Sequence, residues 1–272
     1  MPADDGHELG LHAKLPASPR GVIVLLHGRT WSGVPDFDLQ VEGHTRSLMD
    51  ALVARGWAAY ALDLRGYGAT PRDASGWNTP DRAAKDLGAA IAWVAARHPT
   101  HKPAVLGWSL GSLVAQLEAQ RHADAIAALV LYGYPRDPDA SQGRDAGAAK
   151  PARARNTAAA AASDFISPAV IDEATIDAFV TAALAADPVR ADWRAMDQFD
   201  ELDPAKVRVP TLVIHGARDP FAPVPAQGKL FARLGHDDRA WVELAGGDHA
   251  AHLEDTGAAF VHAVLAFLEQ PR

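Results

Sequence analysis

Gly107-Trp108-Ser109-Leu110-Gly111 decides how this chain is read. It follows a short apolar run, Pro103 to Leu106, and precedes a stretch that reads as a helix, Leu110 to His122. A serine at a strand-to-helix junction, with glycine two before and two after, marks a turn so sharp that the hydroxyl projects into open space. Crowded backbone around such a turn admits little more than hydrogen at those two positions, hence Gly107 and Gly111. Glycine and serine are common, so the stretch gains meaning only if partners follow downstream.

The flanking chain repeats the same rhythm. Gly21 to His27, Ala58 to Leu64, Ile126 to Tyr132, Pro210 to His215 and Ala240 to Leu244 are strand-length apolar runs. Most are continuous rather than alternating, as strands covered on both faces should be. Thr45 to Arg55, Asp81 to Arg97, Ala226 to Leu234 and Thr256 to Leu268 read as helices between them. Strand and helix alternate, so the class is α/β with a largely parallel sheet, and Gly10 to Lys14 adds an antiparallel edge strand. From about Arg136 to Leu202 no strand is read. There a turn-rich opening, Arg136 to Gly143, leads to an alanine run, Ala158 to Ala162. A helix start follows at Ser167-Pro168, with serine at the N-cap and proline at the first helical position. Phe165, Ile166, Val170, Ile171, Ile176, Phe179, Val180 and Leu184 are too apolar for a solvated loop, so an ordered helical insertion is expected.

Composition sets bounds. The chain has 272 residues, 48% of them hydrophobic, with net charge −8 and no cysteine. Such a chain builds a substantial core in one large domain with room for an insertion. No dense Lys/Arg block argues for nucleic acid. The absence of cysteine excludes disulfides, thiolate metal sites and a cysteine nucleophile. No apolar run reaches membrane-span length, and Met1 to Gly6 is acidic, so a cytoplasmic protein without membrane association is expected.

Ser109 needs a base, and the base needs an orienting acid. In open α/β sheets, functional groups collect at the carboxyl ends of strands. His215-Gly216-Ala217-Arg218-Asp219-Pro220 follows one strand, and Ala245-Gly246-Gly247-Asp248-His249 follows the last. Serine, acid and histidine thus occur in the order Ser109, Asp219, His249. An early strand ends in Leu26-His27-Gly28-Arg29-Thr30-Trp31.

With these residues the chain resembles the α/β-hydrolase superfamily, in its esterase and haloperoxidase-like group with a helical cap before the triad acid. The likeness spans nearly the whole chain and includes Leu62 to Gly68 and His252-Leu253-Glu254. It implies a mostly parallel eight-stranded sheet flanked by helices, with a core over 1–135 and 203–272 and a cap over 136–202. It implies a Ser109–His249–Asp219 triad, and an oxyanion hole made by the backbone N–H groups of Arg29 and Leu110. The implied activity is hydrolysis of a small-molecule carboxylic ester, lactones and thioesters included, with no cofactor and no metal. Oligomeric state, including a homo-oligomer, stays open. The same triad serves C–C bond hydrolases and cofactor-free perhydrolases, and some relatives are ligand receptors. A serine at the elbow argues against epoxide hydrolase and haloalkane dehalogenase chemistry, which uses aspartate there.

Each residue also has a plainer reading. Asp219 before Pro220 is a natural turn aspartate, and Asp137 is a rival acid from the preceding strand loop. Asp248 adjoins His249 too closely in sequence to reach its Nδ1. His252 rivals His249 as base; three apart, the two lack a third ligand for metal binding. His27 and His215 read as structural. Arg29 is expected to pair with a nearby carboxylate such as Asp36 or Asp38, or else to point its guanidinium at a carboxylate or another polar acceptor on the substrate or its leaving group. Trp31 and Trp108 are candidates for lining the acyl site, with Phe165 and Ile166 of the insertion as weaker ones.

Overall fold

In a computed structural model, which describes residues 1–141, 143 and 148–270, a seven-stranded sheet forms the centre of the molecule. Its strands are β1 (Leu11–Lys14), β2 (Gly21–Leu26), β3 (Trp57–Leu62), β5 (Ala104–Trp108), β6 (Leu129–Tyr132), β8 (Thr211–Gly216) and β9 (Arg239–Leu244). They lie in the order β1-β3-β2-β5-β6-β8-β9. Only the β1–β3 pair is antiparallel.

The sheet has one strand fewer than the expected eight. Residues ahead of β1 fold back on themselves instead, through a Pro2–Glu8 bridge and a bond from the Met1 amine to the Leu9 carbonyl. A second, two-stranded sheet pairs β4 (Trp77–Asn78) with β7 (Asp192–Trp193), so the segment read as strandless holds one short strand.

Successive side chains of a strand point to opposite faces, which explains the apolar runs. Val22, Val24 and Leu26 enter one core, with α3 (Pro80–Arg97) and α4 (Leu110–Arg121). Ile23 and Leu25 enter the other, with α1 (Gly33–Phe37), α2 (Leu48–Ala54) and α8 (Gly257–Leu268). α7 (Val224–Arg233) connects β8 to β9. The α3 start is set locally: the Thr79 side chain accepts from the Arg82 N–H and Pro80 opens the helix.

Between β6 and β8 lie α5 (Ala158–Ala162) and α6 (Glu173–Ala186), packed on each other. The start read at Ser167 opens only a 3-10 turn, Pro168–Val170. The longer helix begins later because Asp172 caps it, accepting from the Thr175 N–H at 2.7 Å.

Register brings the functional loops to one end. Leu26 pairs with both Leu62 and Gly107, Trp108 with Tyr132, Tyr132 with Ile214, and Gly216 with Leu244. The segments after β2, β3, β5, β6, β8 and β9 therefore leave the sheet side by side. Among the described residues, no helix is long and apolar enough to cross a membrane.

Candidate active site

Ser109 holds φ 54°, ψ −122°, between β5 and α4. A β-carbon on Gly107 would lie 2.3 Å from the Gly111 carbonyl oxygen. One on Gly111 would lie 2.4 Å from the His27 oxygen and 2.5 Å from that of Leu26. The two glycines are thus required by backbone contact. The turn is pinned by the Ser109 N–H donating to the Tyr132 oxygen (2.9 Å) and by the Ser112 hydroxyl donating to the Ser109 oxygen (2.5 Å).

Ser109 and His249 line one pocket of about 390 Å³. The Nδ1 of His249 lies 2.8 Å from Asp219 Oδ2 in a hydrogen bond. Asp219 Oδ1 accepts from the N–H groups of Phe221 (2.8 Å) and Ala222 (3.2 Å), which fix the carboxylate's rotation. The carboxylate leaves Nδ1 as the donor and Nε2 as the free basic nitrogen.

The rival residues are engaged elsewhere. Asp137 pairs with Lys229 at 2.7 Å. Asp248 bonds the Ser167 N–H at 2.6 Å. His252 donates from Nε2 to the Asp36 oxygen (2.7 Å), and burial lowers its pKa to about 4. His215 Nδ1 meets its neighbour's carbonyl at 2.9 Å while Nε2 accepts from Trp241.

His27 organises the loop after β2. Its Nε2 accepts from the Leu64 N–H at 3.1 Å, so Nδ1 carries the proton and donates to the Gly28 oxygen at 2.8 Å. The Gly28 carbonyl therefore faces His27. Across the trans peptide the Arg29 N–H points the other way. The Tyr67 hydroxyl holds the Arg29 carbonyl and receives the Trp193 indole N–H at 2.8 Å. Among the described residues, neither the Arg29 nor the Leu110 N–H has an acceptor.

The substrate-side candidates divide. Trp31 lines the pocket. Trp108 touches it too, but its indole N–H donates to the His249 oxygen at 2.9 Å and its ring stacks on Tyr132. Phe165 and Ile166 are not among the residues that line this pocket. Phe165 turns inward against Phe179, with ring centroids 5.0 Å apart, and Ile166 faces solvent. The insertion contributes Asp164, Arg190 and Met196 to the pocket instead. Arg29 is exposed at the pocket and makes no ion pair among the described residues. Asp36 is buried against Gly28, and Asp38 pairs with Lys14.

Two carboxyls in the pocket wall, Asp36 and Asp164, were not anticipated. Burial raises the Asp164 pKa to about 6, against the opposing pull of His249, the Trp31 indole and Arg190. Burial holds Asp36 well above the usual carboxylate range.

The insertion is tied to two functional loops. Asp187, at the end of α6, accepts from the N–H groups of Ser32 and Gly68, both at 2.8 Å. The Ser167 N–H bonds the loop that carries His249, through Asp248. Glu254 braces that loop from within, accepting the Asp248 N–H at 2.8 Å. Burial, and then the neighbouring Asp248 carboxylate, push the Glu254 carboxyl up to about 9. Between its ordinary value of 4.5 and about 9, the folded protein keeps a proton that the unfolded chain releases. Stability from this group is therefore full below that window and falls as pH rises through it. Glu254→Gln, which stays neutral, is expected to raise the melting temperature at pH 8 by about 2–6 °C. The gain should shrink toward pH 5. Melting curves across that range test it, and an unaltered pH slope would show that Glu254 is not its source.

Sheet order, serine elbow and imidazole–carboxylate pair define an α/β-hydrolase superfamily serine hydrolase. The family model for serine aminopeptidases, S33, matches residues 17–256, and the chain belongs to that family. Its fold is similar to that of the esterase RhEst1 from Rhodococcus sp. ECU1013, with TM-score 0.73, 23% identity, and coverage of 99% of this chain and 97% of that one. It is also similar to the monoacylglycerol lipase of Paleococcus ferrophilus (TM-score 0.65, 20% identity, 96% and 98% covered). A third likeness is to a meta-cleavage product hydrolase from Pseudomonas fluorescens IP01 (TM-score 0.66, 15% identity, 96% and 94% covered).

Proposed function

We propose that this hydrolase cleaves carboxylic esters of a small molecule, through an acyl-enzyme on Ser109. The observation that carries the reading is the Asp219–His249 hydrogen bond, in a pocket shared with a serine on a strained turn. His249 Nε2 takes the proton of the Ser109 hydroxyl as its oxygen attacks the ester carbonyl. Asp219 keeps the imidazole in the required tautomer and stabilises its cation. The N–H groups of Arg29 and Leu110 receive the oxyanion, each contributing about 3–4 kcal/mol to transition-state stabilisation. Leu110 also opens α4, whose N-terminal amides favour developing negative charge. His249 then protonates the departing alkoxide, activates water and returns Ser109 to its resting form. Residues 136–202 act as a cap, on a core of 1–135 and 203–272.

Fluorophosphonate labelling of the protein and turnover of short p-nitrophenyl esters test the reading. Failure of both would overturn it. Fold similarity to the meta-cleavage product hydrolase favours a second reading, C–C bond cleavage of a diketone-type substrate by the same residues. Turnover of such a substrate without ester turnover would select it.

Arg29 is proposed to face a carboxylate on the substrate, since Asp36 and Asp38 are bonded elsewhere. Arg29→Ala should lower kcat/KM about tenfold more on carboxylated esters than on neutral ones. Equal losses on both would remove this role.

A further inference from the structure

Two buried polar atoms in the wall of the Ser109 pocket have no partner on the protein: Trp31 Nε1 and Asp36 Oδ1. Trp31 is 2% exposed and Asp36 0%. Leaving such an atom unsatisfied is costly, so a native structure that keeps two of them in one pocket calls for an explanation. The other oxygen of Asp36 is used, accepting the Gly28 N–H at 3.2 Å, and this bond fixes the carboxyl in place. A third polar group, the Asp164 carboxyl, lines the same wall. The Trp31 indole lies close enough to pull its pKa down, yet no bond in hydrogen-bonding geometry joins them. One pocket lining thus holds an unpartnered indole N–H and two carboxyls.

We infer that this wall is a subsite for a hydroxyl group on the acyl part of the substrate. The hydroxyl oxygen accepts from Trp31 Nε1–H, and its proton goes to a carboxyl of Asp36 or Asp164. A hydroxyl suits the pair because it accepts and donates at once. The position follows from Gly28. Asp36 Oδ2 and Ser109 Cβ lie 3.9 and 3.6 Å from the point where a β-carbon on that glycine would sit. Asp36 and Ser109 thus both stand beside Gly28, on the nucleophile's side of the pocket, which suits a hydroxyl near the scissile carbonyl, as in 2- or 3-hydroxyacyl esters. Burial pushes the Asp36 carboxyl well above the usual carboxylate range, against the Gly28 N–H and with Asp164, Asp187 and Asp63 adding to the effect. Leu113, Met196 and Phe221 of the same pocket are apolar and suit the remaining acyl carbons.

The inference rests on the proposed ester hydrolysis, and the two are separable. Methyl 2-hydroxybutyrate and both enantiomers of methyl 3-hydroxybutyrate are compared with methyl butyrate, by kcat/KM. A site that binds a substrate hydroxyl with buried groups rejects the analogue lacking it, because those groups are then left unpaired. At least one hydroxyester is expected to be preferred about tenfold or more by the native protein. Trp31→Phe and Asp36→Leu should each bring the ratio close to one. If Asp36→Leu fails to fold, Trp31→Phe alone decides. Absence of a preference in the native protein, or a preference that Trp31→Phe leaves intact, overturns the subsite. Fluorophosphonate labelling is run on every variant. Labelling without a hydroxyester preference sinks this inference alone, and loss of labelling together with ester turnover in the native protein sinks both.

Discussion

Ser109→Ala is expected to abolish fluorophosphonate labelling and to lower kcat on short p-nitrophenyl esters by about 10⁴-fold or more, while leaving the fold intact. The size follows from the unit in which the serine works. Removal of the proposed nucleophile would leave only substrate binding and the proposed oxyanion donors, a residual activity well below that of the full apparatus. The structural silence of the change follows from the elbow. The Ser109 side chain makes no capping bond to α4, and the bonds that pin the turn use its backbone N–H and carbonyl. Alanine has the same backbone strain at φ 54° as serine, so the native conformation is no worse for it. The melting temperature should therefore stay within about 2 °C of the native value. Retained turnover would remove Ser109 as nucleophile, and a large fall in melting temperature would show that the variant reports on folding rather than chemistry.

Gly111→Ala is expected to act in the opposite manner, on stability first. Its new methyl group would meet the carbonyl oxygens of His27 and Leu26, both backbone atoms at the end of a central strand. A flexible side chain could swing aside, but a strand paired on both edges cannot. Overpacking against yielding neighbours costs about 1–3 kcal/mol, and an unyielding backbone puts the cost at the upper end or beyond. A fall in melting temperature of about 6–12 °C is expected. Gly228→Ala in α7 is the control. There the added carbon would lie 3.6 Å from the Trp241 ring, an ordinary contact, and alanine is the better helix former. Under urea the midpoints of the two variants should move in opposite directions, or their unfolding free energies should differ by several kcal/mol. Similar midpoints would mean that the strand end gives way more readily than its pairing suggests.

Much of this architecture is legible in the sequence, for a definite reason. The central strands are covered on both faces, so Val22 to Leu26 and Leu129 to Tyr132 read as unbroken apolar runs. Ser109, Asp219 and His249 each follow a strand closely, where chain order alone predicts a shared end of the sheet. The short elements were lost for the converse reason. The five residues of α1 and the two each of β4 and β7 are too few to show a period. Asp36 and Asp164 were missed because nothing local distinguishes them from surface acids. Asp36 lies on α1 beside exposed-looking Pro35 and Asp38, and Asp164 follows an alanine run. Their meaning comes from burial in the pocket wall that both line, which is a property of the packed chain. The eighth strand came from family likeness rather than from any run of residues here, and it is the part that did not materialise.

The bonds from Asp187 to Ser32 and Gly68, and from Ser167 to Asp248, have a consequence for engineering. Exchange of residues 136–202 for the matching segment of another family member is a natural route to new specificity. In this protein such a graft would also remove the acceptor that fixes the loop carrying Trp31, and the donor that braces the loop carrying His249. A chimera would inherit its donor's selectivity together with a loosened reaction centre, unless an aspartate in the position of Asp187 and a backbone amide in that of Ser167 travel with it. Selectivity and rate are wired through the same few hydrogen bonds, and directed evolution of one will select on the other.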